Sequence, residues 1–262
     1  MTWTIEGQRK LPKLKDPVLI EGMPGIGNVG KVAIDFMIDE LKAEKVCDFF
    51  STSLPHSVFV NEDNLVELPT IELYCKRVPK GRDLLLLAGD VQPVDERSCY
   101  DFSFTVLDLA RSLGVKEVVT LGGIGLVQVP KKPKVYCTGN SKKYIQRWVK
   151  GTALQQNLNG VVGPIIGVSG LLVGLAKGRD MDAVSILAET LGHPMYLGVK
   201  GAREILKVLN AKLELGIGLD ELDKEIKEIE LEMLKHSEEM SLPPAGLGKM
   251  SKKKLKETTY IG

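Results

Sequence analysis

The run Glu21-Gly22-Met23-Pro24-Gly25-Ile26-Gly27-Asn28-Val29-Gly30-Lys31 stands between an apolar strand-like stretch and an apolar helix-like one. Gly25, Gly27 and Gly30 fit the dinucleotide fingerprint G-x-G-x-x-G, and Gly25 to Lys31 fits the P-loop pattern G-x-x-x-x-G-K. Both motifs turn backbone N–H groups and a helix N-terminus toward a phosphate. The P-loop reading fails at the next position. Val32 stands where a hydroxyl is needed for magnesium. The dinucleotide reading needs an acidic residue about twenty residues on, at the end of the following strand. Asp48 has that spacing but sits inside the apolar run 46–50, and Pro24 removes an N–H donor from the turn. The reading preferred here is a tight strand-to-helix crossover, in which Gly22, Gly25, Gly27 and Gly30 serve positive φ and close helix–sheet packing.

Other chemistry-bearing residues are weaker. Gly167-Val168-Ser169-Gly170 hints at a nucleophile elbow, but Leu171 stands where G-x-S-x-G needs its last glycine, so Ser169 reads as a helix N-cap. His56 and His193 have no nucleophile or acid at a recognisable spacing. Asp90, Asp95 and Glu96 follow a leucine-rich strand, where α/β proteins keep their ligands, and form the residual enzyme hypothesis. Cys47, Cys75, Cys99 and Cys137 are dispersed without a C-x-x-C pair, so no metal site is expected. Cys47 and Cys75 read as small buried residues.

Composition excludes several classes. Thirty-five Lys and Arg against 34 Asp and Glu leave a net charge of +1, with no global field for nucleic acid or an anionic membrane. Basic clusters at 131–134 and 252–254 lack interleaved aromatics. No apolar stretch has the length of a bilayer span, and charges in residues 1–15 oppose a signal peptide. A cytoplasmic protein is expected.

Periodicity supplies the frame for these residues. Residues 18–21 read as a buried strand, Val29–Leu41 as an amphipathic helix and 46–51 as a second strand, a βαβ opening. Segments 57–60, 65–68 and 71–76 read as a β-rich insertion with hairpin punctuation. Residues 83–88 read as a central strand, 100–113 as a helix and 117–121 as a return to the sheet. A strand at 135–138, helices at 141–150 and 169–177, a strand at 183–189 and a helix at 200–213 complete the alternation. The expectation is a three-layer α/β/α core over residues 1–215.

After Gly216-Ile217-Gly218 the pattern changes. Leu219, Leu222, Ile226, Ile229 and Met233 recur at three, four, three and four, with charges between them. That is the narrow seam of a coiled coil over 216–241, used for self-association or partner binding; the alternative is an amphipathic helix on its own domain. Residues 242–262 read as a flexible tail, basic at 249–256 and ending in Tyr260-Ile261-Gly262. An aromatic–aliphatic pair closing such a tail suits docking into a partner's pocket.

The run Gly22 to Gly30, together with 122–125 and the Gly-Pro-Ile-Ile-Gly-Val-Ser-Gly-Leu-Leu of 163–172, resembles the archaeal homologues of the proteasome-assembly chaperones, over most of residues 15–215. The resemblance implies an α/β/α fold related in outline to the phosphorylase-like enzymes, no enzymatic activity and no ATP or other cofactor. It implies a homo-oligomer whose projecting C-terminal helices and tails engage the proteasome α-ring or another protein complex. Some members end in a hydrophobic–Tyr–any motif that opens the proteasome gate. Here Tyr260 is third from the end, one residue out of that register. The competing hypothesis is a nucleotide- or nucleoside-binding enzyme of phosphorylase-like fold using the glycine loops.

Overall fold

The computed structural model describes residues 3–11, 13–79, 81–158, 163–193, 196–220, 222–224 and 226–227. In chain order the elements are β1 (Thr4–Glu6), β2 (Val18–Gly22), α1 (Val29–Leu41), β3 (Glu44–Phe50), β4 (Phe59–Val60), β5 (Val66–Glu67), β6 (Ile71–Lys76) and β7 (Leu84–Gly89). Then come α2 (Glu96–Ser112), β8 (Glu117–Leu126), β9 (Val135–Gly139), α3 (Lys142–Val149), α4 (Val168–Ala176), β10 (Asp182–Leu191) and α5 (Val199–Leu213).

Eight strands form one sheet in the order β1-β3-β6-β7-β2-β8-β10-β9. The centre, β7-β2-β8-β10, is parallel, and every residue of β2 and β7 is buried. A strand covered on both faces reads as a continuous apolar run, which is why the leucines at 84–87 belong here. Alternate residues of β2 point to opposite faces. Gly22 looks toward Gly30 and Ile34 of α1, whereas the side chain of Glu21 reaches Ser169 of α4. Helices therefore cover both faces, and the domain has the expected three layers. Phe102, on α2, packs against Trp3 and Phe49 with ring centroids 4.6 and 5.4 Å away.

Several elements differ from the sequence reading. Strand β3 is not the neighbour of β2: β6 and β7 lie between them, and two successive antiparallel pairings leave β3 running in the direction of β2. Residues 71–76 belong to no insertion but form β6 within the main sheet; the separate two-stranded piece is β4 with β5. Residues 122–125 lie inside β8 and not after it, paired with 187–190 of β10. Strand β1, on the sheet edge, has no counterpart in the sequence reading; three residues alternating exposed and half-buried carry too little pattern to be read.

The chain divides after Leu222 into two units, Met1–Leu222 and Asp223–Gly262. Leu219 is half-buried, Leu222 is 2% exposed within its own chain and Ile226 is half-buried. Ile229, Met233, Tyr260, Ile261 and Gly262 lie outside the described residues. No described helix is long and apolar enough to cross a membrane.

Candidate functional site

The first glycine segment makes a very short connection between β2 and α1. A single 3₁₀ turn, Ile26–Asn28, bridges them, with Gly27 at φ +61° and Asn28 at +50°. Gly27 is in the left-handed region that glycine tolerates, and a Cβ there would lie 2.7 Å from the Thr190 hydroxyl. Its carbonyl accepts from the N–H of Gly198, just ahead of α5, at 2.7 Å. Gly22 and Gly30 set the approach of α1 to the sheet: a Cβ on Gly30 would meet the Leu121 carbonyl oxygen at 2.5 Å, and one on Gly22 would collide with the Gly30 carbonyl. Gly25 is different. Its φ of −165° is extended backbone open to any residue, and a Cβ would meet nothing within 4 Å.

The open space beside Gly25 is a cavity of about 380 Å³ at the carboxyl ends of β2, β8 and β10. All three glycine segments reach it: Gly25, Ile26 and Gly30 from the first, 122–125 from β8, and 163–166 ahead of α4. Gln92 fastens one side. Its amide N–H₂ donates to the Pro24 carbonyl, and its Oε1 accepts from the Val168 N–H at 3.0 Å. Among the described residues the lining includes no charged side chain and no histidine.

Ser169 lines the cavity from the first turn of α4. The predicted N-cap role belongs to Gly167 instead, because glycine adopts the required φ of +89°. The Ser169 hydroxyl donates to Oε1 of Glu21 at 3.0 Å, and the same oxygen accepts from the Met23 N–H at 2.8 Å. Glu21 is fully buried, and its Oε2 has no protein partner. Burial pushes its carboxyl up to about 7, against the two hydrogen bonds, which favour the ionised form. In register with Glu21 on β8 is Thr120, and with Thr120 on β10 is Ser185; both hydroxyls are buried without a partner. The Glu21–Ser169 pair is separated by 148 positions and was missed in the sequence. Its signal there was a carboxylate closing an otherwise apolar strand.

The other chemistry-bearing residues serve the scaffold. Lys31 pairs with Asp35 at 2.9 Å and approaches Asp90 at 3.6 Å. Asp90 accepts from the N–H and hydroxyl of Thr70 at 3.0 and 2.8 Å, and Asp95 caps α2 by accepting from the Ser98 N–H at 2.9 Å. Asp48 pairs with Lys45, and His56 is exposed. Cys47 and Cys75 are buried, as read, and burial pushes both thiols up to about 11.

A profile of the PAC2 family matches residues 19–237, which takes in the whole α/β domain from β2 onward. This chain belongs to the PAC2 family. The PAC2 fold is matched closely by Pyrococcus furiosus PbaB, described as an archaeal proteasome activator. It is 31% identical, with a TM-score of 0.81 over 91% of this chain and all of that one. P. furiosus PbaA, described as an archaeal homolog of proteasome-assembly chaperone, shares the fold at 22% identity, with a TM-score of 0.74 over 92% of this chain and 93% of its own. An uncharacterized protein of Methanocaldococcus jannaschii is 28% identical across 97% of this chain and 95% of its own length. In this PAC2 chain the three segments that carried the resemblance are the three that meet around one cavity.

Proposed function

We propose that this chain is a non-enzymatic protein of the proteasome-assembly-chaperone type, working in the cytoplasm as a homo-oligomer without a cofactor. The observation that carries the reading is the likeness to PbaB over 91% of this chain, at 31% identity and a TM-score of 0.81. Engagement of the partner, a 20S proteasome α-ring or another protein complex, is assigned to the C-terminal helix and tail, with no part for nucleic acid or membrane. The surface supports self-association. Hairpin β4–β5 and its flanks expose Phe59, Val60, Leu65, Val66 and Leu68, an apolar ribbon that a neighbouring subunit would remove from water.

The cavity weakens the nucleotide-enzyme alternative. A phosphate held by the glycine segments would sit over a fully buried carboxylate, with no cationic side chain in the described lining to offset the repulsion. Native mass spectrometry of the purified protein, alone and with an archaeal 20S proteasome, tests the reading directly. A multimer that captures the proteasome is expected, and peptide hydrolysis accelerated by its addition would mark it as an activator. A monomer that leaves proteasome mass and activity unchanged would reject it.

A further inference from the structure

We propose that the cavity at the carboxyl ends of β2, β8 and β10 binds a small organic ammonium, its aliphatic body against the glycine segments and its N–H donating to Ser169 Oγ. The inference is independent of the proteasome reading.

The fold itself does not ask for the space. Gly25 has an extended backbone with room for any side chain, and a Cβ on Gly163, which also lines the cavity, would likewise meet nothing within 4 Å. Both glycines line the cavity, so side chains there would narrow it without clashing with the core. The walls facing it, among them Ile124, Ile165 and Leu187, are apolar, so an aliphatic body gains from burial there.

The head group follows from proton bookkeeping. A serine hydroxyl has one proton, and that of Ser169 is directed at Glu21. What Ser169 presents to the cavity is therefore a pair of acceptor sites, which call for a donor on the ligand. Charge selects among donors. Glu21 is buried without a counter-charge; burial is the largest cause of its raised pKa, and no charged side chain contributes to it. The elements packed against it present Leu87 from β7, Thr120 from β8 and Ser169 from α4, none of which titrates near neutrality. An ammonium one hydrogen bond away supplies the missing positive charge. A neutral alcohol would make the same hydrogen bond without that gain, and a carboxylate or phosphate would be repelled. The unpartnered hydroxyls of Thr120 and Ser185 extend the polar strip beneath α4, so the acidic end of the site is backed by groups that could turn toward an ionised Glu21.

The test uses the full-length protein at pH 8, with isoleucine methyl groups labelled for NMR, because Ile26, Ile124, Ile165 and Ile166 line the cavity. Probes of one shape are titrated: cyclohexylamine, cyclohexanol and cyclohexanecarboxylate, with inorganic phosphate as a further anion. Saturable shifts with the amine are expected, at an affinity at least tenfold above that of the alcohol, with neither anion binding. Gly25→Val should weaken the amine at least tenfold while the melting temperature holds. Glu21→Gln should bring the amine down to the level of the alcohol. If that variant fails to fold, Ser169→Ala, which removes the acceptor, takes its place and should weaken amine and alcohol alike. The proposal is overturned if no saturable shift occurs, if an anion binds as tightly as the amine, or if Gly25→Val leaves amine binding intact. None of these arms contains a proteasome, so failure here leaves the assembly reading standing, and the reverse also holds.

Discussion

Glu21 sits where water cannot reach it, and ionising it there costs free energy that the unfolded chain does not bear. Its folded pKa of about 7 lies above the ordinary 4.5. Below pH 4.5 the group is protonated in both states and the burial cost is absent; it accumulates between 4.5 and 7 and is constant above. Stability from this residue is thus lost as pH rises, by about 3 kcal/mol in all. Glu21→Gln should be close to wild type at pH 4.5 and up to about 3 kcal/mol more stable at pH 8, measured by denaturant unfolding across that range. A difference independent of pH would mean that the carboxyl is not the titrating group. The glycine run supports a second prediction at this scale. Gly27→Ala forces alanine to φ +61° and its Cβ against Thr190, so it should cost about 1–3 kcal/mol. Gly25→Ala, in extended backbone with open space, should cost about 0–0.5 kcal/mol. Equal melting temperatures for the two variants would refute the distinction. The sequence offered all four glycines as one class. Their separation into close approach, positive φ and open cavity needs the partners Leu121 and Thr190, which are far along the chain.

Elements with a strong period were legible, and those defined by their neighbours were not. Val29–Leu41 matches its helix residue for residue, and the leucine run marks a buried parallel strand. The sequence reads β6 as part of an insertion, because the hairpin punctuation before it looks the same whether the next strand continues the hairpin or enters the main sheet. The sequence reading ends β8 at residue 121, because Gly122 to Gly125 carry too few side chains to continue its apolar pattern. Inside β8 they let the 3₁₀ turn lie on the strand, where a Cβ at Gly123 would run into the Ile26 carbonyl. The heptad-like series after Gly218 raises the same ambiguity between a seam and a domain contact. Leu222, 2% exposed within its own chain, needs no second chain to be removed from water. Leu222→Ala should therefore lower the stability of the α/β domain by about 2–4 kcal/mol in thermal or denaturant unfolding. Ile229 lies further along the same series. Ile229→Asp should reduce oligomeric mass in native mass spectrometry at an unchanged melting temperature, if the seam joins chains. An unchanged mass would confine the series to a contact within the chain.

At the scale of the whole molecule, recognition and catalysis make opposite demands on a chain. An enzyme concentrates its chemistry in a cleft, whereas an assembly factor must present anchors away from its core, where a larger partner can close over them. The tail proposed for that role, Tyr260-Ile261-Gly262, combines an amphipathic ring with an aliphatic side chain, both suited to burial in a partner's pocket. Lysines at 252–254 would steer it toward an acidic surface, so capture should weaken as salt rises. Presentation in several copies would multiply a modest single-tail affinity. Deleting residues 260–262 should leave oligomeric mass and melting temperature unchanged and remove most capture of an archaeal 20S proteasome in a pull-down or by native mass spectrometry. Equal capture by the 260–262 deletion and the intact protein would place the contact elsewhere, on the apolar ribbon of β4–β5 or the segment before the tail. Capture without stimulation of peptide hydrolysis would assign the protein to assembly and not to gate opening.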